Sequence, residues 1–433
     1  MDPSDWAVIK GSAFLNYFPS TNGSLWDVHN VLLFVSLPAF ALCAFDVLKL
    51  RNAWFEILAL VVPVGMAFAA PTVFFLPVWA TYAVIIIMLG KVVSNGNSFD
   101  ETRALRETRA IVMFLTCVCI YSIDFVNVFP RSLGKTELYG YSLMDVGVGG
   151  VTLVTSMNRS IKISSDRCLY DRLYLAIRKG WPSMVLGVSR FFTVKAADHY
   201  VSSSEYGVHW NFFFTVFVVS VLAALVPPRA SYGIKVGMVI GALFVPAFVQ
   251  SSESLEWFFF FGERSTGFIA ANREGIVSCF GYFALHIIGS LLAPFVQTSG
   301  LKRLLTLTAV FYTFMYFQLF FGFQPSRRLA NASYVIVTVT ITLVLLSLLK
   351  IIQTCSPNRY YMPMFIQGIN WNPLLYFLLA NLLSGITNLT LQTLFLEQRA
   401  AIALNILYII CLGLLGLIFA HIKTRFDSPY KQV

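Results

Sequence analysis

The stretch IDFVNVFPRSLGKTELYGYSLMDVGVG, residues 123–149, sets Asp124, Arg131, Lys135, Glu137 and Asp145 between two apolar runs. An ionisable group at membrane depth costs at least a few kcal/mol, so such groups normally face a polar cavity and mark a substrate site. Asp124 has no cation close by in its own run, and its expected partner is Lys135 or Arg131, returned by the turn at Pro130. A carboxylate and an amine in one low-dielectric pocket can both have shifted pKa values, which proton transfer requires.

Other polar residues sit in similar places. Glu205, His209 and Asn211 open an apolar run in SEYGVHWNFFFT, and Arg273 and Glu274 enter another in ANREGIVS. Arg327, Arg328 and Asn331 follow Pro325, while Asn381 and Asn388, seven apart, share a helix face. Each has a plainer reading. Arg327 and Arg328 could snorkel to headgroups, and Arg273 and Glu274 could pair with each other. The asparagines could be interhelical glue, and a single His209 could be structural. The seven cysteines read as apolar fillers, and no His/Cys cluster suggests a metal.

The elements that must position these groups follow from composition. Of 433 residues 57% are hydrophobic and 12% charged, with a mean hydropathy of +0.72. A water-facing surface needs about twice that charge, so the solvent is lipid and the fold class is all-α and polytopic. The net charge of +10 is explained by cations collected in cytoplasmic loops, not by nucleic acid.

Thirteen apolar runs approach the roughly 20 residues a spanning helix needs. They lie near 29–48, 54–71, 73–90, 109–127, 143–159, 181–195, 208–226, 231–250, 272–296, 302–322, 333–352, 371–394 and 398–420. The runs at 143–159, with Asp145, and at 181–195, with Arg190, are the weakest. Most Lys and Arg fall on one side if the N-terminus is lumenal and the C-terminus cytoplasmic. The expected organisation is a lumenal segment 1–28, a single multi-span domain 29–420 and a cytoplasmic tail 421–433. No cleavable leader is expected, and Asn22 is a glycosylation acceptor on the lumenal side. The residues alone give a polar cavity towards the outer leaflet that binds something anionic, in either a lipid-modifying enzyme or a transporter.

Taken together, Asp124-Phe125, Phe129-Pro130-Arg131, Lys135-Thr136-Glu137, Gly140, Met144-Asp145 and Gly147-Val148-Gly149 resemble one family. With SEYGVHWNFFFT, ANREGIVS, SRRLAN and LLANLLSGITNL, they resemble the inositol acyltransferases of glycosylphosphatidylinositol (GPI) anchor synthesis. The resemblance covers about residues 120–395 and agrees with thirteen spans and a lumenal N-terminus. It implies transfer of an acyl chain, typically palmitoyl, from acyl-CoA to the inositol 2-hydroxyl of glucosaminyl-phosphatidylinositol in the endoplasmic reticulum membrane.

The resemblance also implies roles. Asp124 and Lys135 would be the catalytic pair, one as base or orienter and the other as proton carrier or oxyanion stabiliser. Lys135, His209 and Asn211 would serve the oxyanion, and Arg131, Arg327 or Arg328 the lipid phosphate. Asp145, Arg273, Glu274, Asn331, Asn381 and Asn388 complete the expected substrate site. Acyl-CoA enters as co-substrate, with no metal, no bound cofactor and no obligate protein partner implied. Two departures stand out: Ser132 replaces the family's second arginine, and the segment after Asp124 is one residue longer, placing Lys135 eleven positions on. On a helix one extra residue turns a side chain by about 100°. The alternative is a lipid or sugar-lipid transporter of this architecture without acyl transfer.

Overall fold

The computed structural model describes residues 56–57, 101–126, 128–160, 168–196, 205–265, 267–298, 300–355 and 362–427. The expected spans 29–48 and 73–90, nearly all of 54–71, and Asn22 lie outside these residues. Among the described residues every regular element is helical.

The helices are α1 (Glu101–Ser122), α2 (Leu143–Ser160), α3 (Leu169–Ala196), α4 (Phe212–Leu225) and α5 (Tyr232–Val249). After the short α6 (Glu253–Phe261) and α7 (Phe268–Ala271) come α8 (Arg273–Thr298), α9 (Leu301–Phe320) and α10 (Ala332–Cys355). The short α11 (Met364–Trp371) precedes α12 (Pro373–Thr390) and α13 (Gln398–Asp427). Each of the ten apolar runs expected beyond residue 100 therefore holds a helix. Six of them, α5, α8, α9, α10, α12 and α13, are long and apolar enough to cross a membrane. Helix α13 continues to Asp427, past the expected start of the tail at 421, because the backbone stays hydrogen-bonded through the polar turn HIKTRFD.

A helix that is apolar all round must be buried or face lipid, and both cases occur. Helix α10 is central: Val335, Val339, Leu343 and Leu346 pack into one core with α2 and α8 residues such as Leu153 and Leu285. On its other side Val337, Ile341, Leu345 and Leu349 pack into a second core with Phe114 of α1, Tyr376 of α12 and Tyr408 of α13. Helices α5 and α9 instead expose Ile240, Phe244, Val310 and Phe314, a face stable only against hydrocarbon. Helices α2 and α8 approach closely because Gly289 leaves room for the Leu153 carbonyl, where a Cβ would stand 2.6 Å from that oxygen. Small residues at such crossings let backbones meet where no water drives the association.

Helices α6, α7 and α11 were not foreseen, being shorter than any spanning run. Helix α11 is capped by Glu56, whose Oε2 accepts from the backbone N of Met364 at 2.8 Å, a favourable place for a carboxylate.

Candidate active site

The chain leaves α1 through successive tight turns, with Phe125 N bonded to Ser122 O at 3.0 Å and Phe129 N to Phe125 O at 3.2 Å. The 3-10 turn Arg131–Leu133 follows. The longer spacing after Asp124 is thus taken up outside the helix, and the 100° rotation does not reach Lys135. Beyond Lys135, the backbone N and Oγ1 of Thr136 donate to Asp145 at 3.2 and 2.9 Å, and Ser142 Oγ donates at 2.9 Å. Asp145 is 1% exposed in the first turn of α2, the end at which the helix dipole favours an anion.

Arg327 reaches Asp145 from the loop before α10, its Nε 2.9 Å from Oδ1. The Arg327 Nη1 stands 3.7 Å from Glu205 Oε1, and Lys135 Nζ donates to that same oxygen. A chain of alternating charge results: Asp145, Arg327, Glu205, Lys135. Burial alone would push the Glu205 carboxyl up, but Lys135 and Arg327 overcome it and hold the group at about 2. Burial likewise opposes the charge on Arg327, yet Glu205 and Asp145 raise its pKa above the ordinary value. The segment carrying Glu205 turns at Gly207, φ +125°, where an added Cβ would meet Asn272 Cα at 2.6 Å.

This chain borders a cavity of about 520 Å³. Helices α1, α2, α10 and α12 line it mostly with apolar groups, among them Met113, Val148, Val151, Leu345 and Phe377. Its lysine, arginine, glutamate and histidine residues are Lys135, Arg190, Glu205, His209 and Arg327. The cavity is therefore amphipathic. It suits a ligand with a hydrocarbon part and a charged or polar head.

A second ionic cluster adjoins the first through the Arg327–Arg328 peptide. Arg328 Nη2 is 2.8 Å from Glu274 Oε1, and Arg264 Nη1 donates to Glu274 Oε2 at 3.0 Å. Arg328 also lies over the Phe260 ring at 4.8 Å. Burial lowers the Arg328 pKa, partly offset by Glu274. With Arg327 7% and Arg328 5% exposed, neither snorkels to a headgroup. Nor do Arg273 and Glu274 pair with each other. Arg273 donates to the carbonyls of Phe259, Gly262 and Glu263, acceptors that the end of α6 leaves without helical partners. Asn331 caps α10, its Oδ1 accepting from Tyr334 N at 3.0 Å and Ser326 N at 3.1 Å. At 4% exposed it is closed to glycosylation despite its sequon. Arg273, Glu274, Arg328 and Asn331 thus hold the scaffold beside the cavity and are not among its lining.

The expected pairing of Asp124 with Lys135 is not made, and the side chain of Arg131, the other expected partner, lies outside the described residues. Asp124 Oδ2 is 2.5 Å from Asn388 Nδ2, and Asn388 Oδ1 accepts from Thr393 Oγ1 at 3.1 Å. The reason is the direction of the chain: the turns after α1 leave Asp124 against α12, while Lys135 meets Glu205. Asn381, two turns before Asn388, lines the cavity and donates to Phe377 O at 2.7 Å. Asn211 caps α4, accepting from Phe213 N at 3.0 Å, and donates to Gly187 O at 2.8 Å. His209 lines the cavity with its backbone N bonded to Asn272 Oδ1 at 2.8 Å. Sequence reasoning noted Glu205 without its partner and left Arg190 out of the site, although a charge inside an apolar run was the signal for it.

The family described as GWT1 matches residues 17–419. The phosphatidylinositol-glycan biosynthesis class W protein of Dictyostelium discoideum is 32% identical over 373 residues, covering 74% of this chain and 75% of its own. The GPI-anchored wall transfer protein 1 of Aspergillus fumigatus is 31% identical over 349 residues, 69% and 68% of the two chains. That of Kluyveromyces lactis is 28% identical over 340 residues, 75% and 74%. A family match along nearly the whole chain, with relatives 28–32% identical over about 70% or more of its length, gives one conclusion: this protein belongs to the GWT1 family of GPI-anchor biosynthesis.

Proposed function

We propose that the protein transfers a fatty acyl chain, palmitoyl in the typical case, from acyl-CoA to the inositol 2-hydroxyl of glucosaminyl-phosphatidylinositol in the endoplasmic reticulum membrane. The observation that carries this reading is the cavity, which joins an apolar wall to a wall of ionisable groups. A thioester with a long acyl chain and a sugar-lipid hydroxyl need those two surroundings side by side.

The reaction needs a proton acceptor and an oxyanion stabiliser. The inositol oxygen attacks the thioester carbonyl carbon, the carbon–sulfur bond breaks, and the hydroxyl proton ends on the released CoA thiol. Lys135, paired with Glu205, is assigned to the developing oxyanion. His209 on the cavity wall is assigned to carry the proton from hydroxyl to sulfur. Asp124, bonded to Asn388, is assigned a positioning role through α12, whose Asn381 faces the cavity. Arg327 keeps Glu205 ionised and Asp145 neutralised; Arg328 stabilises the loop that carries it.

The test uses microsomes that make this chain in a background lacking inositol acylation, given labelled palmitoyl-CoA and glucosaminyl-phosphatidylinositol. A labelled lipid resistant to phosphatidylinositol-specific phospholipase C is expected, since the acylated hydroxyl can no longer attack the phosphate. Membranes that hold folded protein but form no such lipid would refute the reading and favour transport.

A further inference from the structure

We propose that the Tyr206 hydroxyl is a second hydrogen-bond donor at the reacting centre, donating to the thioester oxygen as it becomes an oxyanion beside Lys135. This rests on the acyl-transfer reading above and adds to it a residue that the motifs and the ionic network leave without a role.

Most polar side chains on the cavity lining are committed to the protein itself. Lys135 and Arg327 hold Glu205 and Asp145. Asn381 donates to Phe377 O, Asn211 to Gly187 O, and Trp210 Nε1 to Thr215 Oγ1. Tyr206 lines the same cavity, and its hydroxyl has no hydrogen-bond partner among the described residues. A phenol both donates and accepts, and in a mostly apolar site it costs free energy until a ligand supplies the partner. The free hydroxyl is therefore a contact kept for the substrate.

Placement and rigidity locate that contact at the reacting centre. Tyr206 directly follows Glu205, which holds Lys135, so both donors border the ionic part of the cavity. The backbone is fixed on either side of Gly207: Tyr206 O accepts from Gly275 N at 2.8 Å, and Val208 N donates to Ala271 O at 2.9 Å. A donor held in place needs no reorganisation when charge develops, which is the condition for stabilising an oxyanion. Arg327 is near enough for its charge to act on the phenol oxygen, and a neighbouring cation polarises a hydroxyl towards donation. Burial pushes the phenol pKa well above its ordinary value, so the proton stays on Tyr206. The hydroxyl donates while the inositol oxygen adds to the carbonyl carbon. It is released when the carbon–sulfur bond breaks and the carbonyl re-forms.

The experiment compares wild type with Tyr206→Phe, which removes the hydroxyl and keeps the ring, in microsomes at equal amounts of folded protein. Melting in detergent checks the fold. KM and kcat are read for glucosaminyl-phosphatidylinositol and palmitoyl-CoA, and again with palmitoyl-dithio-CoA, in which sulfur, a weak acceptor, replaces the carbonyl oxygen. The expected result is a kcat lower by on the order of a hundredfold in Tyr206→Phe, with both KM values unchanged. The ratio of oxygen to sulfur donor rates is expected to be on the order of tenfold larger in wild type than in Tyr206→Phe, because only wild type has that bond to lose. An equal ratio in the two proteins, or a KM rise for the acceptor with kcat unchanged, overturns the proposal while wild-type transfer keeps the acyl-transfer reading. If Tyr206→Phe melts far below wild type, 3-fluorotyrosine at position 206 replaces it: its more acidic hydroxyl is expected to alter kcat at constant KM, and an unaltered kcat overturns the proposal. Absence of transfer by the wild type would strike the acyl-transfer reading, and the proposal with it.

Discussion

At the scale of single residues, their partners separate the two neighbouring, equally buried arginines. Arg327 is the cation paired with Asp145 at 2.9 Å, and removing it strands a carboxylate that is 1% exposed. Breaking one partner from a buried pair costs about 3–5 kcal/mol, so Arg327→Ala is expected to lose most of its folded protein. Arg328→Ala leaves Glu274 with Arg264 and is expected to keep a folded, less stable protein. Melting in detergent checks the order, and equal losses would contradict it. Glu205 gives a pH prediction. Its folded pKa of about 2 lies below its ordinary value, so its stabilisation is complete above about pH 4.5 and is lost as pH falls towards 2. Between pH 7 and pH 3 the wild type should therefore lose more melting temperature than Glu205→Gln; identical losses would sink this. Sequence reading found Lys135, Asp145, His209 and Arg327 because each is a charge or imidazole out of place in apolar surroundings. It missed the partner of Asp124 because Asn388 is 264 positions away, a separation that only the packing of α12 on α1 brings together.

At the scale of elements, the segment from Glu205 to Asn211 is the one that positions the most groups. It brings Glu205, His209 and Asn211 to the cavity between α3 and α4. Its turn depends on Gly207 at φ +125°, a conformation in which any other residue is strained by about 1–3 kcal/mol. Gly207→Ala adds to this a clash of its Cβ with Asn272. The expected outcome is a folded protein with acyl transfer reduced by at least tenfold, while the same change at Gly237, which faces open space, leaves activity unaltered. Equal activity in both variants would show that the turn does not set the site. The long elements were legible in sequence since twenty apolar residues are a strong signal. Helices α6, α7 and α11, of nine, four and eight residues, carry no such signal and are fixed by packing. Helix α11 shows this: its Phe365, Ile366 and Ile369 are buried, and Gly368 stands against the Gly416 carbonyl of α13.

At the scale of the whole molecule, Lys135, Arg264, Arg327 and Arg328 gather with their carboxylates into adjoining networks, although the distribution of the remaining cations would place them on the poorer, lumenal side. That exception to charge sorting is explained if the cavity lies towards the lumenal leaflet. The orientation predicts glycosylation at Asn22 and a C-terminal reporter open to protease in sealed microsomes; a protected reporter would put the cavity on the cytosolic side. The central claim is that this cavity performs acyl transfer with Lys135 at the reacting centre, and one measurement tests it most directly. Formation of phospholipase-resistant acylated lipid is compared between wild type and Lys135→Ala, normalised to folded protein. A loss of orders of magnitude in Lys135→Ala, with the variant still folded, is what the account predicts. A folded Lys135→Ala protein that acylates at the wild-type rate would contradict it.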